Sequence, residues 1–352
     1  MELKAHRLLK RYEIFRLILI SSLLGFFYPL LAGELNDIRA MLNGIFIGFF
    51  GGIVVAVFEF KIFNPQNRQL SFIAVISLKT LLYFSAFVLI ILGVKGFIDS
   101  LFAGKGYWEY LQSAEFRYFI NQEDFDVILT YTFIILVVIT FTIQMGRKIG
   151  YSTLLNMISG KYYSPREEER IFMLLDIKSS TTIAEKFGNL LYHQFLNDFY
   201  HDITRCVLSA KGEIYRYVGD EVVISWDIRI GKQNMNCLRA YFYIKSELKK
   251  QREKYLEKYG IGPKFTTCFH SGRIIAGEIG EVKSQIVYSG ETLSELQQLK
   301  KASIIFRENL IISDSLIERI DLPEIYLKEE LGLLNEEEPA ENIRVYTIRV
   351  AE

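Results

Sequence analysis

Four apolar runs in the first 145 residues constrain this chain more than any other feature. They cover residues 14–32, 41–60, 72–94 and 127–145, each about 19 to 23 residues long. A helix needs about 20 residues to cross the hydrocarbon core of a bilayer. A cleaved leader would be shorter and would stand alone, and here three more runs follow the first, so all four read as membrane spans. Loop charge orients them. Lys4, Arg7, Lys10, Arg11 and Arg16 lie in the N-terminal segment, Lys61 and Arg68 lie between the second and third spans, and Arg147 and Lys148 follow the fourth. The loop over 95–126 is instead acidic, with Asp99, Glu109, Glu115, Glu123, Asp124 and Asp126 against Lys95, Lys105 and Arg117. Both termini are therefore expected on the cytoplasmic side of a plasma membrane. Trp108, Tyr107, Tyr110, Phe116 and Tyr118 in that loop fit an aromatic belt or an external sensing surface. Lys79, eight residues into the third span, either pairs with a polar group inside the bundle, snorkels to the interface or has a functional role, whereas Glu59 and Lys61 at the end of the second can reach the interface.

Beyond residue 145 the composition changes, and charged residues replace the apolar runs. Over the whole chain 41 basic residues balance 41 acidic ones, which gives no electrostatic reason to expect nucleic-acid binding. Cys206, Cys237 and Cys268 are widely spaced, with neither a CxxC pair nor metal-ligand spacing, and read as reduced thiols. His193 and His201 are eight apart and read as ordinary helix residues.

Residues 146–169 read as a connector. Leu154, Leu155 and Ile158 form an apolar stripe on a short helix, with Gly160 as its C-cap. Ser164-Pro165-Arg166-Glu167 reads as a capping box opening a further helix. The segment can transmit movement of the membrane helices or act as a passive tether.

From residue 170 an α/β pattern begins. Ile171 to Ile177 is an apolar run interrupted by Asp176, the pattern of a buried strand. Ser179 to Glu185 opens a helix whose free N–H groups can bind phosphate. Leu191, Phe195, Phe199, Ile203 and Val207, four apart, mark the core face of a longer helix. Two strand-like runs flank Gly219-Asp220 in a tight hairpin, which puts a second carboxylate at a strand end. A helix near 234–259 follows, then strands near 265–270, 286–288 and 343–350. The order βαββαβ predicts a ferredoxin-like α+β sheet with helices on one face. Two aspartates at neighbouring strand ends can bridge divalent cations against a triphosphate, because magnesium prefers oxygen ligands and phosphates.

These residues resemble a known family. Leu174-Leu175-Asp176-Ile177 with Ser180-Thr181, then Arg216-Tyr217-Val218-Gly219-Asp220, is similar to the class III adenylate/guanylate cyclase domain of membrane-anchored bacterial proteins. Ser271-Gly272 to Gly277 and Gly280 resembles that family's glycine-rich strand and turn, and Val345-Tyr346 its ending. The resemblance covers about 170–350 and includes the lead-in after Gly160. It implies a reaction in which the ribose 3′-oxygen attacks the α-phosphate, releasing pyrophosphate, with ATP favoured over GTP as the nucleoside triphosphate. It implies two Mg²⁺ or Mn²⁺ ions on Asp176, Asp220 and the Ile177 carbonyl, and a phosphate cradle at Ser180 and Thr181. It also implies a head-to-tail dimer, homomeric or heteromeric, whose sites are each built from both chains. The chain departs from the family at several positions. Arg216 stands where a base-selecting lysine is common and Val287 where its polar partner falls. Ser294 replaces an asparagine and Gln298 a transition-state arginine, and Asn335-Glu336 lies where a phosphate-binding lysine belongs. An uncharged Gln298 cannot supply the electrostatic stabilisation that an arginine gives the charged transition state, a loss of about 10²-fold or more. Two expectations follow: a membrane-bound nucleotidyl cyclase with reduced activity, or an impaired homologue acting as a regulatory or nucleotide-binding subunit. Val218 to Val222 superficially resembles the diguanylate cyclase signature, but that family's upstream pattern is absent.

Overall fold

The computed structural model describes residues 14–29 except 16 and 28, and residues 37–59, 70–121, 123–334 and 343–350. The basic residues before the first span, Lys61 and Arg68, and Asn335-Glu336 lie outside them. The chain divides into two compact units, residues 1–149 and 150–352, so residues 150–169 of the expected connector pack with the second unit.

In the first unit, α1 (Leu17–Phe27) is followed by α2 (Ile38–Val57), α3 (Phe72–Ala103), the short α4 (Tyr107–Leu111) and α5 (Ala114–Ile120), and α6 (Glu123–Ile149). Three of these helices, α2, α3 and α6, are long and apolar enough to cross a membrane. The first expected span is helical over a shorter described stretch, Leu17–Phe27. α1 and α2 touch backbone to backbone, since a Cβ on Gly25 or Gly44 would lie about 2 Å from the other's carbonyl oxygen. Small residues at a helix contact permit that approach. Lys79 on α3 has a polar partner inside the bundle, but that partner is Glu59, which is buried and not turned to the interface as expected. Glu59 accepts from Lys79 Nζ at 2.6 Å and from Tyr83 Oη at 2.8 Å, and it pairs with Arg147 at the end of α6. Inside an apolar bundle the carboxylate gains more from these three donors than from the interface. Near the far end of α3, Asp99 gathers Lys95 (3.0 Å), Asn43 (3.1 Å) and Tyr110 (3.3 Å).

The second unit opens with α7 (Tyr151–Ile158), closed by Gly160 in the left-handed region (φ 63°), with Lys161 N–H donating to Asn156 O at 3.0 Å. The expected helix after Pro165 does not form. β1 (Arg166–Ile177) begins there instead, because β4 (Phe265–Ile279) offers an antiparallel ladder over all twelve residues, from Arg166 opposite Ala276 to Ile177 opposite Phe265. That ladder outweighs a local capping pattern. Then come α8 (Ser180–Ser209), the hairpin of β2 (Glu213–Val218) and β3 (Glu221–Asp227), α9 (Ile228–Lys232), α10 (Asn236–Lys250), α11 (Arg252–Tyr259), β4, β5 (Gln285–Ser289), α12 (Glu291–Ile305), β6 (Leu310–Ser313), α13 (Asp314–Ile317), β7 (Tyr326–Leu333) and β8 (Arg344–Val350).

The sheet runs β2-β3-β1-β4-β6-β8-β7, with β5 paired to β4. It is mixed, since β4 and β6 are parallel and the other pairs antiparallel. β1 is buried on both faces. Ile171, Met173, Leu175 and Ile177 face α8, α10 and α11, where Phe195, Phe199, Ile203 and Val207 of the expected stripe are fully buried. Phe172 and Leu174 face the other way, against Leu296, Leu299 and Ala302 of α12. The helices of the βαββαβ segment thus share one face as expected, but helices do not cover one face only. The continuous apolar run of β1 leaves a second hydrophobic face, and α12 buries it.

Candidate active site

Asp176 sits at the end of β1 directly opposite Glu221, the first residue of β3, and Asp220 occupies the turn immediately before. Side chains opposite one another on adjacent strands have Cβ atoms about 5 Å apart. Alternation along β1 turns Asp176 to the face that carries Phe172 and Leu174, the α12 face. The hairpin turn is set by Gly219, whose φ of 62° suits glycine, and is tied to α8 by the Tyr200 hydroxyl. That hydroxyl donates to Gly219 O at 2.9 Å and reaches Glu221 O at 3.3 Å. Burial and the nearby Asp220 push the Tyr200 phenol pKa up, so the hydroxyl remains a donor.

Burial also raises the Asp176 pKa above the usual carboxylate range. Lys300 acts against that shift, and Asp220 and Glu221 add to it by charge repulsion. Lys300, on α12, brings its ammonium 3.1 Å from Asp176 Oδ2 and 2.5 Å from Glu221 Oε1. Burial opposes the Lys300 charge, yet Glu221 and Asp176 hold its pKa above the ordinary lysine value. Asp176 Oδ1 is buried and has no hydrogen-bond partner. An orphaned carboxylate oxygen in a cluster of hard oxygen donors already balanced by a cation fits a divalent metal ion. Among the described residues no group of three or more His, Cys, Asp or Glu side chains is drawn together as a closed metal centre.

The remaining expected residues divide by location. Ser180 and Thr181 form the first turn of α8, which carries no side-chain cap because Ser179 is in the left-handed region (φ 58°). α8 breaks at Gly188 (φ 68°), so the turn above the site is a separate short segment. Arg216 is exposed on β2, its guanidinium 5.4 Å from the Tyr215 ring. Tyr215 stacks on Tyr288 at 4.4 Å, and the Tyr288 amide N–H donates to the Tyr215 hydroxyl at 2.9 Å. Arg216 and Val287 are therefore chain neighbours of a stacked pair. Ser294 and Gln298, four apart on α12, lie on its outward side: Ser294 is exposed and Gln298 half-buried.

α12 itself is firmly anchored. Thr292 Oγ1 donates to Arg273 O at 2.7 Å, and Glu295 bonds the buried His270 ring at 2.7 Å. The hydrogen bond from His270 holds the Glu295 carboxyl below its usual range. The structure places Asp176 and Asp220, both singled out from the sequence, beside Glu221, Tyr200 and Lys300, which the sequence reading did not single out. Glu221 was discoverable, since it follows Asp220 on a strand whose partner residue is Asp176. No local signal shows that Lys300 reaches across to β1.

No family model matches the chain. Adenylate cyclase 2 of Rhizobium meliloti (strain 1021) is 30% identical over 194 residues, which are 55% of this chain and 53% of that protein. An adenylate cyclase of Anabaena cylindrica is 22% identical over 163 residues, 44% of this chain and 31% of that protein. The chain thus spans about half or less of the length of these curated relatives. A bacterial light-regulated adenylyl cyclase of known structure shares the fold with a TM-score of 0.52 at 18% identity, covering 65% of this chain and 67% of that one. The α/β domain, with paired acidic strand ends beneath an uncapped helix, is thus similar in sequence to a curated adenylate cyclase and shares its fold with a solved adenylyl cyclase.

Proposed function

We propose that the protein is a membrane-bound adenylate cyclase that converts ATP to cyclic AMP and pyrophosphate. The reading is carried by Asp176 lying opposite Glu221 and beside Asp220, with a buried carboxylate oxygen that has no partner. In this reading Asp176, Asp220 and the Ile177 carbonyl hold two Mg²⁺ or Mn²⁺ ions, which when bound neutralise charge on the triphosphate. The uncapped first turn of α8, at Ser180 and Thr181, receives phosphate oxygens on its N–H groups. Arg216 and Val287 border the base. The ribose 3′-hydroxyl loses its proton as its oxygen bonds the α-phosphorus, and the bond from that phosphorus to pyrophosphate breaks. Three long apolar helices support a membrane location, and loop charge supports cytoplasmic termini in a plasma membrane. The outward Ser294 and Gln298 support a dimer in which one chain presents this face of α12 to the partner's aspartates.

A second reading is favoured by the same two residues. Without a cation at 298 the chain can serve as a regulatory or nucleotide-binding subunit that lends its aspartates to another cyclase chain. Purified full-length protein incubated with Mg²⁺ or Mn²⁺ and ATP or GTP decides between the two. Cyclic AMP that disappears in Asp176→Ala establishes the enzyme. No cyclic product under any condition leaves the subunit reading, and product that survives Asp176→Ala refutes the metal assignment.

A further inference from the structure

We propose that Lys300 is an internal counter-cation that occupies the carboxylate pair of Asp176 and Glu221 until a divalent ion displaces it, and so sets the protein's affinity for metal. The proposal deepens the metal reading above and rests on it. Its basis is the position of one ammonium group. Lys300 Nζ lies 3.1 Å from Asp176 Oδ2 and 2.5 Å from Glu221 Oε1, bridging two strands whose carboxylates would otherwise repel. Like charges directly opposite on neighbouring strands are destabilising, and this ammonium removes that cost in the metal-free protein. It cannot stay once a divalent ion binds Asp176, because a cation bearing two charges would then lie within a few ångströms of it.

The surroundings allow the side chain to move while its helix stays. α12 is pinned by Thr292 to the Arg273 carbonyl and by Glu295 to His270, and its Leu296 and Leu299 are fully buried. The Lys300 side chain is one-third exposed, on a flexible four-carbon stem, so it has somewhere to go. Asp176 Oδ1, which Lys300 does not touch, remains without a partner. The ammonium therefore satisfies only half of the carboxylate, and the other half stays open to the incoming ion.

The test measures Mn²⁺ alone, without nucleotide, binding to the full chain in detergent by electron paramagnetic resonance of the free ion. Wild type, Lys300→Met, Lys300→Arg and Asp176→Asn are compared. Removing a partly exposed competitor should tighten Mn²⁺ binding about fivefold in Lys300→Met, while Lys300→Arg, which keeps the charge, stays near wild type. A second readout needs no variant. Acylation of Lys300 in wild type, followed by mass spectrometry, should speed up severalfold when Mn²⁺ frees the amine from its carboxylates, and it decides the matter if Lys300→Met does not fold. Asp176→Asn separates the two levels. If it binds Mn²⁺ as wild type does, the metal reading itself fails. If it loses binding while Lys300→Met is no tighter than wild type, or Lys300 acylation ignores Mn²⁺, the counter-cation is overturned and the metal reading stands.

Discussion

A buried charge in an apolar helix bundle must find its complement or be removed, and Glu59 shows how this chain meets that requirement. Its side chain and that of Lys79 are 4% and 1% exposed, and Tyr83 and Arg147 complete the set. Glu59→Gln strips the counter-charge from two cations at once, and breaking such a buried pair costs about 3 kcal/mol. Unfolding in detergent should show that loss as a lowered midpoint. The double variant Glu59→Gln/Lys79→Met should lose less than Glu59→Gln alone, because the uncompensated ammonium is gone as well. If the double variant is as unstable as the sum of the single ones, the two residues are not acting as a pair. Residues of this kind are half legible in a sequence. An intramembrane lysine announces that it needs a partner, but only the fold reveals that the partner comes from the end of another helix. Lys300 is the opposite case, an unremarkable lysine on an amphipathic helix that acquires meaning from a contact across to β1.

At the scale of elements, patterns with a strong period were readable, and those decided by distant partners were not. The four-residue stripe on α8 and the apolar run of β1 appear in the structure because burial enforces their spacing. The hairpin was marked by Gly219-Asp220 between two β-rich runs. The capping pattern at 164–167 was outweighed by a ladder with β4, in which Arg166 pairs with Ala276 and Glu167 with Ile275, more than 100 positions later in the chain. β6 has only four residues and β7 alternates weakly, so neither announced itself. The hairpin yields a test. A Cβ at Gly219 would meet nothing within 4 Å, so the penalty for Gly219→Ala is purely that of holding φ at 62°. That penalty is about 1 kcal/mol, or a fall of about 2–4 °C in Tm for a unit of this size. Gly219→Asn should be milder, since asparagine tolerates the left-handed region. Equal losses for the two variants would mean that the turn is limited by something other than backbone strain.

For the whole molecule, the proposed dimer implies that one chain carries two unlike half-sites. Asp176 and Asp220 lie together at strand ends, while Ser294 and Gln298 look outward from α12, whose Lys300 already faces its own chain's aspartate. The outward pair can complete a site only on another chain if the dimer reading is correct. That geometry makes complementation decisive. A chain with Ser294→Asn, Gln298→Arg and Asp176→Asn should be inactive as a homodimer, because both of its sites lack the first aspartate. Wild type should be slow, because both of its sites lack the arginine. A mixed dimer of the two contains one site with wild-type aspartates and the restored Asn and Arg. A restored charge at the reacting phosphate is worth about 10²-fold or more. Co-expression in equal amounts should therefore give cyclic AMP production well above either chain alone, approaching about a quarter of that of the Ser294→Asn/Gln298→Arg double variant, since random pairing makes half of the dimers mixed and each mixed dimer holds one restored site. If each site were built within a single chain, the mixture could never exceed wild type, and that result would end the two-chain account while leaving the metal aspartates where they are.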